Sequence, residues 1–369
     1  MKLDSNSIKY RYLFAGGGTG GHLYPAIAVA QRIRELQPNS EILFIGTKDK
    51  IESRVVPNLG FKFKSIIISG FSRQLTMKNI LFPFKLAIGM LQSLVINIKF
   101  KPQVAIGTGA YVSGPAIWGA TFMGAKAVLL EQNSFPGLTN RLLEKRVRKI
   151  FLSFEESKKY FRDTSKLEVA GNPIRVDIIL SNKKEAKANF GLDTSKKTLV
   201  IIGGSLGAKT INEGMKNNIE RLISLGIQVL WQTGELYYDT YSSIETENIK
   251  IVKYFDDVAK AYSAADLLIA RAGATTIAEI AQIGIPVVFV PSPNVAANHQ
   301  FKNAKVLVDA EAAEFIEDSE FNENIVDVVK SIISNNEKLE KLKLNIKKFA
   351  KPDAINTISD EIIKMARAI

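Results

Sequence analysis

Apolar and polar positions alternate along this chain in two rhythms. Short, nearly continuous apolar runs read as strands buried on both faces. In the first half they are Tyr10–Ala15, Ile42–Ile45, Phe63–Ile68, Val104–Ile106, Ala127–Leu130, Ile150–Leu152 and Leu167–Val169. Between them apolar residues recur at helical spacing, as Ala26, Ile27, Val29, Ala30, Ile33 and Leu36 do after Pro25, which suits a first helical turn. Met77 to Ile98 is a further apolar segment, broken by Pro83, with Lys78, Lys85 and Lys99 in or beside it. It is too short and too charged to span a bilayer, and suits either a helix lying on a membrane or a core helix. Gly171-Asn172-Pro173-Ile174-Arg175 reads as a hinge, and a Lys-rich helix from Lys183 to Phe190 opens the second half. The strand rhythm then restarts with Leu199–Ile202, Gln228–Trp231, Ile249–Val252, Leu267–Ile269 and Val287–Val290.

Strands alternating with helices imply a parallel sheet covered on both faces, here twice over. The expected architecture is α/β, with two doubly wound, Rossmann-like parallel-sheet domains at 1–172 and 173–352. The last helix, 353–369, is expected to cross back and pack on the first domain.

At 369 residues the chain is comfortable for two such domains, and 46% apolar with 23% charged content is ordinary for a globular protein. The absence of cysteine excludes a disulfide framework and a thiolate metal site. Met1 to Lys9 lacks the apolar core of a signal peptide, and no run of about 18 apolar residues occurs. The net charge of +12 favours anionic partners, and it is unevenly placed. Between Glu52 and Glu131 there is no Asp or Glu, while Arg54, Lys62, Lys64, Arg73, Lys78, Lys85, Lys99, Lys101 and Lys126 all fall inside. Basic surface mixed with apolar residues such as Phe71, Leu75, Ile80, Leu81, Phe82, Phe84, Leu86 and Ile88 points to an anionic membrane face. Nucleic acid is the second choice, without a recognition motif to support it.

The chemistry-bearing loops follow the strands. Gly16-Gly17-Gly18-Thr19-Gly20-Gly21-His22 joins the first strand to its helix, where backbone can approach a ligand and a helix N-terminus can hold an anion or polar group. Its spacing also meets the dinucleotide fingerprint, but the carboxylate expected at the end of the second strand is missing, since Asp49 comes too late. Gly107 to Pro115 and Glu131-Gln132-Asn133 follow the fourth and fifth strands, which brings Tyr111, Glu131 and Asn133 to the same cleft. In the second half, Gly203-Gly204-Ser205-Leu206-Gly207-Ala208-Lys209-Thr210 nearly imitates a P-loop but has Ala208 where glycine should precede the lysine. It reads as a diphosphate cradle with Ser205 as donor. Arg271 to Glu279 runs into a helix whose Glu279 suits a ribose diol, and the loop ending at Asn298-His299-Gln300 suits sugar hydroxyls.

Taken together, Gly17 to His22, Gly114-Pro115, Glu131-Gln132-Asn133, Gly171 to Arg175, Gly203 to Ala208, Arg271-Ala272-Gly273-Ala274 with Glu279, and Asn298-His299-Gln300 stand in the order found in the MurG family of GT-B glycosyltransferases. The chain resembles that family from about residue 10 to 310. The resemblance implies transfer of N-acetylglucosamine from UDP-GlcNAc to the C4 hydroxyl of MurNAc in undecaprenyl-diphospho-MurNAc-pentapeptide, lipid I. It further implies inversion at the anomeric carbon, domains facing each other across a cleft, no metal and no cofactor. The implied setting is peripheral, at the cytoplasmic face of the bacterial inner membrane.

The family's site residues carry over by position. Thr19, Gly20 and Gly21 would face the donor sugar and diphosphate, and Asn133 the GlcNAc. Arg175 and Ser205 would contact the diphosphate side, and Phe255 the uracil through its backbone. Ala274, Thr275, Thr276, Ile277, Ala278 and Glu279 would hold the nucleotide, and Gln300 the GlcNAc hydroxyls. Ala110 departs from an expected glycine before Tyr111, and Ala272 from a serine. An inverting transfer needs a base for the acceptor hydroxyl: His22 is the first choice, with Glu131 as the reserve or the group that orients the acceptor. The implied partners are UDP-GlcNAc, lipid I, an anionic membrane surface and other cell-wall synthesis proteins, with no nucleic acid. Rival readings are a nicotinamide oxidoreductase, a nucleic-acid-binding protein, another GT-B transferase, and an epimerase of UDP-GlcNAc.

Overall fold

The computed structural model describes residues 9–70, 81–174, 181–204 and 206–368. The chain divides into two compact units, Met1–Ile174 with Lys351–Ile369, and Arg175–Ala350. The first unit is built on β1 (Arg11–Ala15), β2 (Glu41–Gly46), β3 (Lys62–Ser65), β4 (Val104–Gly107), β5 (Lys126–Glu131), β6 (Lys149–Leu152) and β7 (Leu167–Glu168), all parallel, in the order β3-β2-β1-β4-β5-β6-β7. Tyr12 to Ala15 in β1 are wholly buried, because helices cover both faces; hence the run is continuously apolar and not alternating. Phe14 pairs with Phe44 on one side and Ile106 on the other, which sets the register of the centre. The helix Ala354–Arg367 packs on this unit, placing Ile358, Ile362, Ile363 and Ala366 in the same core as Phe14 and Val29.

The second unit repeats the plan with β8 (Thr198–Ile202), β9 (Gln228–Gln232), β10 (Ile249–Val252), β11 (Leu267–Ala270), β12 (Val287–Phe289) and β13 (Glu314–Phe315), in the order β10-β9-β8-β11-β12-β13. The edges differ from the sequence expectation. β3 stops at Ser65 where apolar residues run on to Ile68, and β13 carries no apolar run at all. An edge strand pairs on one side only, so neither its length nor its pattern is imposed by two-sided burial.

Pro83 does not break its segment. It stands in the first turn of the helix Phe82–Phe100, where its missing N–H is harmless. That helix is inside out. Gly89, Ser93 and Asn97 form its buried stripe, while Phe84 (67% exposed), Ile88, Leu91 (64%), Val95 and Ile98 face outward. Ser93 donates to the Pro115 carbonyl at 2.9 Å and Asn97 Nδ2 to the Ser93 carbonyl at 2.8 Å, against Gly119 of the neighbouring helix Ala110–Phe122. The reading as an ordinary core helix is therefore overturned. Phe71, Arg73, Leu75, Lys78 and Ile80 lie outside the described residues.

Candidate functional site

Each sheet reverses its strand order beside its first strand, between β1 and β4 and between β8 and β11. Doubly wound sheets take ligands outside the strands' carboxyl ends at that reversal. In the first unit, Thr19 precedes the helix Gly20–Leu36 without a side-chain cap, so Gly20 and Gly21 stand at an open N-terminus. His22 lies in its first turn. Its Nδ1 is 2.8 Å from the Thr108 carbonyl and 3.1 Å from Gln132 Oε1. Both partners are acceptors, so Nδ1 carries the proton and Nε2 keeps its lone pair. Thr108 Oγ1 donates back to the His22 carbonyl at 2.7 Å, and Gln132 Nε2 is oriented by the Leu130 carbonyl at 3.2 Å. Gly109, with φ of 92°, makes this closure possible: a Cβ there would stand 3.0 Å from His22 Nδ1.

Two buried carboxylates hold the surrounding loops. Glu131, 2% exposed, accepts from Asn133 N at 3.0 Å, Gly137 N at 3.0 Å and Asn140 Nδ2 at 2.8 Å. Burial pushes its carboxyl above the ordinary range, against the pull of these donors and of His22. Glu52, 1% exposed, accepts from Gly18 N at 2.8 Å, Thr47 N at 3.0 Å and Thr47 Oγ1 at 2.8 Å. A Cβ on Gly17 would meet the Glu52 carboxylate at 2.4 Å, so this glycine serves the carboxylate and not a ligand. One amide of the glycine loop is thus already engaged. The Tyr111 hydroxyl is hydrogen-bonded to Thr47, and burial, then the Glu52 charge, raises its pKa. Ala110, just before it, holds a left-handed φ of 61°.

In the second unit, the helices Lys209–Ile223 and Ala274–Ile283 both begin without a side-chain cap and without an acid in the first turn. Such N-termini are ready seats for a phosphate. Glu279 sits in the second turn of its helix, past the reach of a simple dipole partner. Tyr262 donates its hydroxyl to Glu279 Oε2 at 3.0 Å. Burial, then the Glu279 charge, holds that hydroxyl protonated. Ala274 and Ile277 are buried, whereas Thr275, Thr276 and Ala278 are partly open. Gln300 Oε1 accepts from Ser292 N at 2.9 Å, which fixes the orientation of its amide. Phe255 is buried, with its N–H donated to Gln232 Oε1 at 3.1 Å. Ala272 is buried too, its carbonyl 3.4 Å from Asn303 Nδ2. Arg175 and Ser205 lie outside the described residues.

The first reversal thus gathers Thr19, Gly20, Gly21, His22, Tyr111, Glu131 and Asn133, and the ends of β10 to β12 gather Phe255, Ala274 to Glu279 and Gln300. Sequence reasoning missed Thr108, Gln132, Glu52, Gln232 and Tyr262 as supporting groups. Only Gln132 had a signal, as the middle of the Glu131-Gln132-Asn133 motif. Among the described residues no cluster of three His, Asp or Glu side chains is arranged to hold a metal ion.

Comparison with known proteins places these features in a family. Residues 12–152 match the glycosyltransferase family 28 N-terminal domain and residues 198–358 the glycosyltransferase family 28 C-terminal domain. A UDP-N-acetylglucosamine–N-acetylmuramyl-(pentapeptide) pyrophosphoryl-undecaprenol N-acetylglucosamine transferase of Flavobacterium psychrophilum is 42% identical over 98% of this chain and 99% of its own. The enzyme of the same name from Parabacteroides distasonis is 41% identical over 97% and 98%. Among solved structures, Acinetobacter baumannii MurG is similar with a TM-score of 0.78 and 26% identity, over 97% of this chain and 100% of that one. A putative UDP-N-acetylglucosamine 2-epimerase from Listeria monocytogenes, at 13% identity and TM-score 0.69 over 97% and 96%, shares the fold alone.

Proposed function

The chain belongs to glycosyltransferase family 28, and from that premise we infer that it transfers N-acetylglucosamine from UDP-GlcNAc to the C4 hydroxyl of MurNAc in undecaprenyl-diphospho-MurNAc-pentapeptide. It is an N-acetylglucosaminyltransferase of peptidoglycan synthesis with the GT-B fold. The observation that carries the mechanism is the fixed tautomer of His22, whose Nδ1 donates to the Thr108 carbonyl. Nε2 takes the proton of the C4 hydroxyl as its oxygen attacks the anomeric carbon, and UDP leaves with the bonding electron pair, so the centre inverts. Glu131 counters the charge that His22 acquires, and it holds the Asn133 loop through its own hydrogen bonds. It acts by position and not as the base, since its oxygens are already engaged by three donors. In the second unit the open helix N-termini take the place of a cation at the departing diphosphate, and Glu279 takes the ribose.

The acceptor is a lipid, and the inside-out helix Phe82–Phe100 fits a bilayer surface: large apolar groups outward, small and polar groups toward the protein. From residue 53 to 143 the only carboxylate is Glu131, and it is buried, so the surface of this stretch carries no negative charge. The protein is accordingly peripheral, docked on anionic lipid at the cytoplasmic face. No helix among the described residues is long and apolar enough to cross a membrane.

The deciding experiment is turnover of UDP-GlcNAc with and without a polyprenyl-diphospho-muramoyl acceptor. UDP release only with acceptor is expected; conversion of UDP-GlcNAc to its 2-epimer without acceptor would overturn the reading in favour of the epimerases that share the fold. For docking, Leu91→Asp with Val95→Asp should abolish sedimentation with anionic vesicles while sparing UDP binding. Unchanged sedimentation would remove this helix from the membrane contact.

A further inference from the structure

Gln232 ends β9, between β8 and β10, and is 2% exposed. Both ends of its amide are engaged. Oε1 accepts the Phe255 N–H at 3.1 Å, and Nε2 donates to the Gly204 carbonyl at 3.1 Å. Gly204 lies in the turn after β8, where Gly207 N also reaches its carbonyl at 3.0 Å, and Phe255 lies in the loop after β10. One neutral side chain therefore ties the loop assigned to the diphosphate to the loop assigned to the base. The amide cannot be reversed, because Phe255 offers a donor and Gly204 an acceptor.

We propose that Gln232 is a positioning residue that sets base specificity, resting on the reading of the second unit as the uridine-nucleotide site. By taking the Phe255 N–H, Gln232 leaves the Phe255 carbonyl as the backbone group open to a pyrimidine edge; no described residue donates to that carbonyl. A carbonyl accepts from the N3–H of uracil. It meets only a lone pair at N3 of cytosine, and a buried clash of acceptors is costly. The same side chain keeps the diphosphate turn in register with the base loop.

Two substitutions separate the two duties. Gln232→Leu, close in volume, frees the Phe255 N–H and releases Gly204. In calorimetry of the full chain it should weaken UDP by about tenfold, the cost of one buried hydrogen bond, and should shrink the preference for UDP over CDP. Gln232→Glu keeps an acceptor for Phe255 but presents a lone pair to the Gly204 carbonyl. It should retain the UDP-to-CDP ratio while narrowing the preference for UDP over uridine. A leucine variant with the parent's UDP affinity and UDP-to-CDP ratio overturns the proposal. If that variant does not fold, the glutamate variant decides: a lost UDP-to-CDP ratio in a folded glutamate protein overturns it equally. A parent protein with no preference for UDP over CDP would instead defeat the uridine-nucleotide reading itself.

Discussion

The two units share one strand order, yet they anchor their crevice loops with a different balance of charge. In the first, buried carboxylates do it: Glu52 holds Gly18 and Thr47, and Glu131 holds Asn133 and Gly137. In the second, neutral amides do much of it: Gln232 holds Gly204 and Phe255, Gln300 holds Ser292, and Asn303 lies against the Ala272 carbonyl, while the one carboxylate among these anchors, Asp318, holds Thr210 and is neutralised by Arg271. An acidic group beneath a loop disfavours a nucleotide diphosphate and favours a cation that forms during reaction. Anchors without net charge leave open helix N-termini free to act on phosphate. On the proposed reading, the same strand order serves a proton-accepting site in one unit and an anion-accepting site in the other, with different side-chain types beneath the loops.

The contrast can be broken at its strongest point first. His22→Ala should lower turnover by roughly 10²-fold or more while leaving UDP affinity nearly intact; normal turnover would place the base elsewhere. Glu279→Ala should do the converse, weakening UDP and UDP-GlcNAc alike by on the order of 2–3 kcal/mol through two charge-assisted hydrogen bonds. A UDP affinity equal to the parent's would remove Glu279 from the ribose. Glu52→Gln puts an NH2 group against a donor, so it should destabilise the first unit by about 2 kcal/mol and slow turnover without touching UDP binding. If UDP binding falls with it, the division of labour between the units is wrong.

Acid should separate the units as well. Burial opposes ionisation of Asp266, but hydrogen bonds from Lys183 and Lys187 hold its carboxyl below the ordinary 3.8. Its stabilisation is present above that value and is lost as pH falls through the depressed one. Glu131, raised above 4.5 by burial, behaves oppositely: its contribution is complete below 4.5 and is lost as pH rises through the raised value. Between roughly pH 5 and 3, hydrogen exchange should show β8 and β11 losing protection before β5. Loss in β5 first would contradict it. The smallest effect is local. Ala110→Gly relieves a left-handed alanine and should stabilise the first unit by about 1 kcal/mol, read as a higher unfolding midpoint.

Much of the plan was legible in the sequence because β1, β5 and β8 are buried on both faces and must be continuously apolar. β13, two residues with a glutamate, left no trace of that kind. His22 was legible as a lone imidazole in a glycine loop, but the groups that fix its tautomer are a backbone carbonyl and an amide, which no residue pattern reveals. Glu52 reads in sequence as an ordinary acid at a helix start, and only three-dimensional proximity turns it toward Gly18. In Phe82–Phe100 the apolar character was visible, but composition does not say which stripe faces inward. Ser93 and Asn97 took the inner side because the neighbouring helix offers them Gly119 and the Pro115 carbonyl.

The fit of Glu52 between two glycines also bears on how this protein can vary. A Cβ at Gly17 would collide with its carboxylate at 2.4 Å, and one at Gly46 with its Cγ at 2.5 Å. The three positions therefore behave as one heritable unit. In a combinatorial library Gly17→Ala alone should be lost and should return in survivors only beside a shortened residue 52, while Gly46→Ala, which also meets Phe63 Cε2 at 2.8 Å, should need a change at residue 63 as well. Such sign epistasis confines drift in the His22 loop to paired changes, so this corner should vary slowly while the exposed faces around it vary freely.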